Sequence, residues 1–376
     1  MPNPIDPVAL AQELIRCDSI TPARGEVFDV LEAALKPLGF TVHRWVMGEP
    51  PDGPTENMVA TRGDGAPHFG FAGHLDVVPP GEGWSADPFG AEVHDGVLVG
   101  RGANDMKSAI AAYVAAVSRI EPGGGTLSLL ITGDEEGYSV YGTPRIIDWL
   151  NERRIRPDMI LIGEPTSVSR LGDTVKIGRR GSVNMWIEVP GVQGHVAYPE
   201  RGTNPVAPLA RVIAALDALH LDDGTDQFPP SNLEFTSIST PTNASNVIPG
   251  SATALLNIRF NNLQHGPDLV KMVEEIAERE APGATVRARI SGEAFLTPPG
   301  QLYDVIVQSI DEETGLTPDL STSGGTSDGR FLIKLCPTVD FGLPNPTMHK
   351  VGECAAIEDI RALSGIYERV VRKVLG

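Results

Sequence analysis

Phe69-Gly70-Phe71-Ala72-Gly73-His74-Leu75-Asp76 is the stretch on which the reading of this chain turns. A short apolar run closed by a turn predicts a buried strand. In open α/β sheets, sites form just beyond the carboxyl ends of the strands, which is where His74 and Asp76 then stand. The pattern recurs. Leu127–Thr132 runs into Asp134-Glu135-Glu136, Met159–Gly163 into Glu164, and Val339–Gly342 leads through a loop to His349. Four apolar strands thus deliver imidazole or carboxylate groups from one end of a sheet.

The chain has 376 residues, more than one core usually serves, so two domains are expected. No apolar run of about 18 residues is present, so no membrane span is predicted. Met1-Pro2-Asn3-Pro4-Ile5-Asp6 lacks the basic region and apolar core of a signal peptide. Cys17, Cys336 and Cys354 are widely spaced, with no CxxC, which fits a reducing cytoplasm rather than a disulfide framework. A formal net charge of −19 argues against nucleic acid or an anionic membrane as partner. It does not exclude an anionic small molecule, because a few arginines can dominate one pocket.

Along the chain, Asp6-Pro7 predicts a capped helix start, and strands alternate with helices up to about residue 180, implying an α/β fold with a largely parallel sheet. Asp105 precedes a helical spacing of Met106, Ile110, Val114 and Val117. The pattern then changes: Val183, Met185, Ile187 and Val189 alternate with mostly polar residues, as in a half-exposed strand. The order from there to Ile290 is β-α-β-β-α-β, a ferredoxin-like unit. Helix and strand alternation returns from Leu302 to a last helix, Ile357–Leu375. Because His349 lies in this returning part and the other candidate ligands lie before residue 165, an inserted domain fits better than two consecutive ones. The expected organisation is a discontinuous catalytic domain (1–179 and 293–376), its mostly parallel mixed sheet flanked by helices, with a lid or dimerisation domain inserted at 180–292.

An isolated HxD is most simply a buried histidine bonded to aspartate, and an isolated acidic triplet is a solvated turn. Here the acidic triplet follows a buried strand, where desolvation and mutual repulsion make three anions costly unless a cation is present. With Asp105 added, the groups delivered by the four strands (His74 and Asp76, Asp134-Glu135-Glu136, Glu164 and His349) suit a two-metal hydrolase. Their mixed imidazole and carboxylate donors suit zinc, with cobalt or manganese possible.

The stretches GHLDVVPPGEGWSADPF, GRGANDMK, ITGDEEG and IGEPT resemble the di-zinc aminoacylase/carboxypeptidase superfamily. KIGRRGS, QGHVAYP, SNVIPG, SGGTSDGRF and NPTMHKVGE narrow the likeness, over essentially the whole chain, to a branch of amidohydrolases serving bacterial lysine and diaminopimelate synthesis. The resemblance implies two Zn2+ per subunit, with Asp105 bridging, His74 and Glu164 completing one site, and Glu136 and His349 the other. It implies a cis peptide after Asp105. Asp76 would orient the His74 ring, Glu135 would be the general base, and His195 would reach the site from a second subunit as oxyanion donor. Read without the resemblance, His195 is a surface loop histidine. A dicarboxylate amide substrate would engage Arg179, Arg259, Tyr198, Asn246, Gly325, Thr326 and Asn345, and the inserted domain would form a homodimer. A deacetylase or carboxypeptidase of the same superfamily would share the metal ligands, though not the later stretches. A catalytically silent binding protein would be expected to lack a ligand or the base. Three positions depart from the pattern: Leu75, Asn104 and the run Gly137-Tyr138-Ser139-Val140.

Overall fold

The computed structural model describes residues 4–121 and 123–376, so Met1–Asn3 of the N-terminal stretch read above lie outside the described residues. Two compact units are present. One comprises the chain up to Ile177 together with Thr297–Ser321 and Ser327–Gly376; the other comprises Gly178–Leu296 and Thr322–Thr326.

In the first unit the apolar runs pair side by side. The strands Thr126–Thr132, His68–His74, Met159–Ile162 and Thr338–Asp340 lie next to one another, all parallel, at the centre of an eight-stranded sheet. Their near-continuous apolar sequences follow from burial on both faces. The sheet is mixed: Thr41–Met47 and Thr55–Gly63 extend one side antiparallel, and Thr174–Lys176 meets Thr338–Asp340 antiparallel on the other.

One face of the sheet carries Phe71, whose ring stacks on Tyr113 with centroids 4.1 Å apart. Tyr113 belongs to the helix Lys107–Ser118, buried along its whole length, which explains why its sequence is apolar nearly all round. The other face packs Ala72, Leu130, Ile160 and Ile162 against Ile146, Leu150, Leu332 and Leu335. The loop leading into the buried helix lies so close to the sheet that a Cβ on Gly73 would stand 2.6 Å from the Met106 Cε. A small three-stranded sheet not expected from the sequence joins Cys354–Ala356 to Val97–Val99, and that strand to Glu92–His94. It ties the segment after His349 to the segment before Asp105.

The second unit is a four-stranded antiparallel sheet in the order Asn232–Ser239, Ser251–Phe260, Gly181–Pro190, Thr285–Gly292. Burial alternates strictly along Ser251–Phe260, as a sheet with one covered face requires. Ala252, Ala254, Leu256, Ile258 and Phe260 pack on Leu209, Val212, Val273 and Ile276 of the helices Val206–Asp217 and Gly266–Glu280. The segment Thr322–Thr326 joins this unit although it is remote in sequence, since the Thr322 hydroxyl donates to the Gln227 carbonyl. Among the described residues no helix is long and apolar enough to cross a membrane.

Asp222 organises the long connection between the helix Val206–Asp217 and the strand Asn232–Ser239. One carboxylate oxygen accepts from Gly224 N (2.9 Å), Ser231 N (3.1 Å) and Asn261 Nδ2 (2.5 Å), the other from Gln264 Nε2 (3.2 Å). Burial raises its pKa, but the donors led by Ser231 and Asn261 outweigh that and hold it at about 2. An unfolded aspartate titrates near about 3.9. The stabilisation is therefore complete above about pH 4 and is lost as pH falls toward about 2. Asp222→Asn is expected to lower the urea midpoint at neutral pH and to flatten its fall over that acid range. A parallel acid profile for variant and wild type would contradict this account.

Candidate metal centre and active site

His74 ends the organising strand fully buried, and its tautomer is set locally. Nδ1 lies 2.9 Å from the Asp76 backbone carbonyl, so that nitrogen must carry the proton and donate it. Nε2 is left with a lone pair, facing Asp105 Oδ1 at 3.1 Å and Glu164 Oε1 at 3.7 Å. The other Asp105 oxygen faces His349 Nε2 at 3.1 Å, and the same nitrogen lies 2.9 Å from Glu136 Oε1. Asp105 therefore presents one oxygen to each of two imidazoles. The Asp105–Met106 peptide is cis.

Asp76 lies against the His74 ring, whose orientation the resemblance assigns to it. It is the backbone carbonyl that holds the imidazole; the carboxylate lies 3.6 Å from Nδ1 and instead accepts from Glu135 N (3.2 Å) and Glu136 N (3.0 Å). Asp76 so fixes the backbone of the tandem glutamates while its carbonyl fixes His74.

Three overlapping groups of donors have their ligand atoms within 4.8 Å of one another: His74, Asp105 and Glu164; Asp105, Glu136 and His349; and His74, Glu135 and Glu136. Burial, followed by the nearby Glu164 charge, pushes the Glu135 carboxyl well above its usual range. Glu136 is also raised by burial, its bond to His349 notwithstanding. Bonds to Asp105 and Glu136 raise His349 to about 10, and His74 is raised despite its burial through Asp105. Lone-pair atoms that face one another across about 3 Å in a low dielectric need a proton or a cation between them. The donor set fits two divalent ions.

Other loops of the first unit brace the cluster. Asn345 Nδ2 donates to the Pro165 carbonyl beside Glu164 (3.2 Å), and Asn104 Nδ2 to the Pro344 carbonyl. Leu75 is fully buried between the two functional positions. Two buried residues given no role from sequence stand at the Asp105 loop: Arg101 belongs to it, and Glu353 accepts from its Gly102 N; they lie inside the quoted stretches GRGANDMK and NPTMHKVGE.

The remaining sequence candidates belong to the second unit. Arg179 Nη1 donates to the Gly325 carbonyl at 3.0 Å, so the Gly-rich turn accepts from this arginine, with Thr326 next along it. His195 is exposed, pairs with Val247 across a two-residue ladder, and accepts from Ala197 N through Nδ1 at 3.1 Å. Tyr198 lies 5.8 Å from it between ring centroids, and the Asn246 carbonyl accepts from Val196 N at 3.1 Å. These residues form one loop cluster, whereas Arg259 stands on the sheet opposite Ser182.

The chain belongs to the peptidase family M20/M25/M40, whose model matches residues 70–373, and it is a hydrolase acting on amide bonds. It is 57% identical over 375 residues to a succinyl-diaminopimelate desuccinylase of Sphingopyxis alaskensis, covering 100% of both chains. It is 58% identical to the protein of that name from Rhizorhabdus wittichii, covering 99% of this chain and 98% of that one. Among solved structures, aminopeptidase PepT from Bacillus cereus matches at a TM-score of 0.79 with 21% identity, over 99% of this chain and 98% of that one. The YXEP protein of Bacillus subtilis, described as a dinuclear metal-binding peptidase of the M20 family, matches at 0.72 with 14% identity, over 98% and 97%. These two likenesses speak for the fold.

Because ligating imidazoles must be neutral, zinc added to the metal-free protein is expected to expel protons from His74 and His349. Apparent zinc affinity should rise steadily with pH below about 10. Calorimetry in buffers of different ionisation enthalpy reads the release directly; zinc uptake with no buffer dependence at neutral pH would contradict it.

Proposed function

We propose that this chain hydrolyses N-succinyl-L,L-2,6-diaminopimelate to succinate and L,L-diaminopimelate, as a step of lysine and diaminopimelate synthesis. The observation that carries the reaction class is Asp105, with one oxygen toward His74 and the other toward His349, beside the half-buried Glu135. The choice of substrate is supported by the name shared by the full-length relatives.

In this reading two zinc ions (cobalt or manganese as substitutes) are held by His74, Asp105 and Glu164, and by Asp105, Glu136 and His349. When bound, such a pair supplies Lewis acidity that acidifies a water and polarises the substrate carbonyl. Glu135 takes the proton of the attacking water and then delivers it to the departing amine nitrogen. Burial raises the Glu135 pKa, which makes its carboxylate a better base and its acid form a usable donor. Glu136 and Glu135 divide the work, one ligating while its neighbour moves the proton, and Asp76 holds both backbones. His195 of the partner subunit stabilises the oxyanion formed at the succinyl carbonyl. Arg179 and Arg259, with Tyr198, Asn246, Asn345 and the Gly325-Thr326 turn, receive the substrate's carboxylates, a task suited to the bidentate fork of arginine.

The partner in question is a second copy of the chain, docked through the inserted unit about a two-fold axis. The edge strand Asn232–Ser239, much of it exposed, offers unpaired backbone groups for that purpose. The unpaired Cys17, Cys336 and Cys354 suit a reducing cytoplasm.

The deciding experiment is amine release from succinyl-diaminopimelate set against acetylornithine, with zinc present. Preference for acetylornithine would overturn the substrate assignment. Glu135→Gln is expected to keep two zinc ions yet lose about 10²–10⁴-fold in turnover; near-normal turnover would remove Glu135 from the proton transfer. The shared site is tested by mixing nearly inactive Glu135→Ala and His195→Ala proteins under subunit exchange. Recovery of part of the activity is expected, because the heterodimer then contains one site with both groups intact. No recovery despite demonstrated exchange would place His195 in the service of its own chain.

A further inference from the structure

Glu353 is fully buried and has no role in the proton transfer described above. Its Oε1 accepts three backbone N–H groups from the turn that delivers Asp105: Gly102 (3.1 Å), Asn104 (2.9 Å) and Asp105 itself (3.0 Å). Its Oε2 accepts from Nη1 of Arg101, which is 2% exposed. Nη2 of that arginine donates to the carbonyls of Pro80 (3.2 Å) and His349 (3.4 Å). The Glu353 backbone carbonyl accepts from Gly100 N at 2.9 Å, closing the arrangement.

From this geometry we infer that Glu353 and Arg101 are positioning residues that set the separation of the two metal-holding sites by clamping the Asp105 turn to the backbone of His349. Asp105 and His349 lie 244 positions apart in the chain, so no local conformational preference can hold their facing atoms in register. A carboxylate does what no neutral side chain does here. It gathers three converging N–H donors on one oxygen and neutralises a buried guanidinium with the other. In Glu353→Gln, the amide NH2 must confront either the N–H trio or Arg101, donor against donor, and part of the clamp opens.

The inference rests on the metal reading of the site, and the test separates the two. Zinc affinity is measured by chelator competition on full-length wild type, Glu353→Gln, Arg101→Lys and Leu31→Ala, each below its unfolding temperature. Leu31, buried in the helix Glu26–Leu35, controls for simple loss of stability. Glu353→Gln is expected to bind zinc about 10–100-fold more weakly and Arg101→Lys about 10-fold more weakly, with Leu31→Ala unchanged. Turnover of Glu353→Gln should rise toward wild type as zinc is raised to saturation. Wild-type zinc affinity in folded Glu353→Gln would overturn the clamp. If that variant does not fold, Arg101→Lys decides: it keeps the charge but gives up the planar fork that spans Glu353, Pro80 and His349, and wild-type affinity there overturns the inference. A wild-type chain that binds no zinc would overturn the metal reading and the clamp together.

Discussion

Mutual repulsion among carboxylates at the end of a buried sheet is the constraint on which the rest of this structure depends. Asp76, Asp105 and Glu164 are at most 8% exposed, and Glu135 and Glu136 lie beside them. Charges at such spacing in a low dielectric are tolerated only when cations or firm hydrogen bonds stand between them. The protein answers in two ways. It turns two imidazole Nε2 atoms toward the bridging Asp105, and it supplies backbone N–H groups to the carboxylates that are not aimed at them. Asp76 receives two such groups and Glu353 receives three.

That solution demands a stiff platform. A parallel sheet covered on both faces provides one, since its strand ends are fixed by ladder bonds as well as by side-chain packing. The Met106 and Ile110 side chains lie against it so closely that a Cβ on Gly73 would force them to shift. The small sheet of Cys354–Ala356, Val97–Val99 and Glu92–His94 then fastens the two loops carrying Asp105 and His349. Rigidity at this end of the first unit contrasts with the loop around His195 in the second, which is left uncovered.

Much of this was legible because burial leaves periodic traces. The apolar run before His74, the acidic triplet after Leu127–Thr132 and the strict alternation in Ser251–Phe260 each report which faces are covered. The departures arise where pairing is remote. Nothing local in Thr322–Thr326 announces that it packs with Gly178–Leu296; a hydroxyl bonded to the Gln227 carbonyl and a Gly325 carbonyl bonded to Arg179 settle that. The Asp76 carboxylate was legible as a functional group, but its partners are backbone amides, which every residue carries and which no side-chain pattern reveals.

By itself the sequence determined the kinds of group available and where they stand: His74, Asp76, Glu135, Glu136 and Glu164 at or just after strand ends, Asp105 just before a helix, and His349 on a loop. Side-chain chemistry and hydrophobic period are local properties, and a strand followed by a polar turn states both. Only the tertiary structure decided which oxygen of Asp105 faces which imidazole, that a carbonyl rather than a carboxylate holds His74, and that Glu353 and Arg101 fasten two loops far apart in the chain. Those outcomes depend on distances between segments brought together by packing, and a buried charge such as Glu353 declares its partner only once the backbone around it has closed.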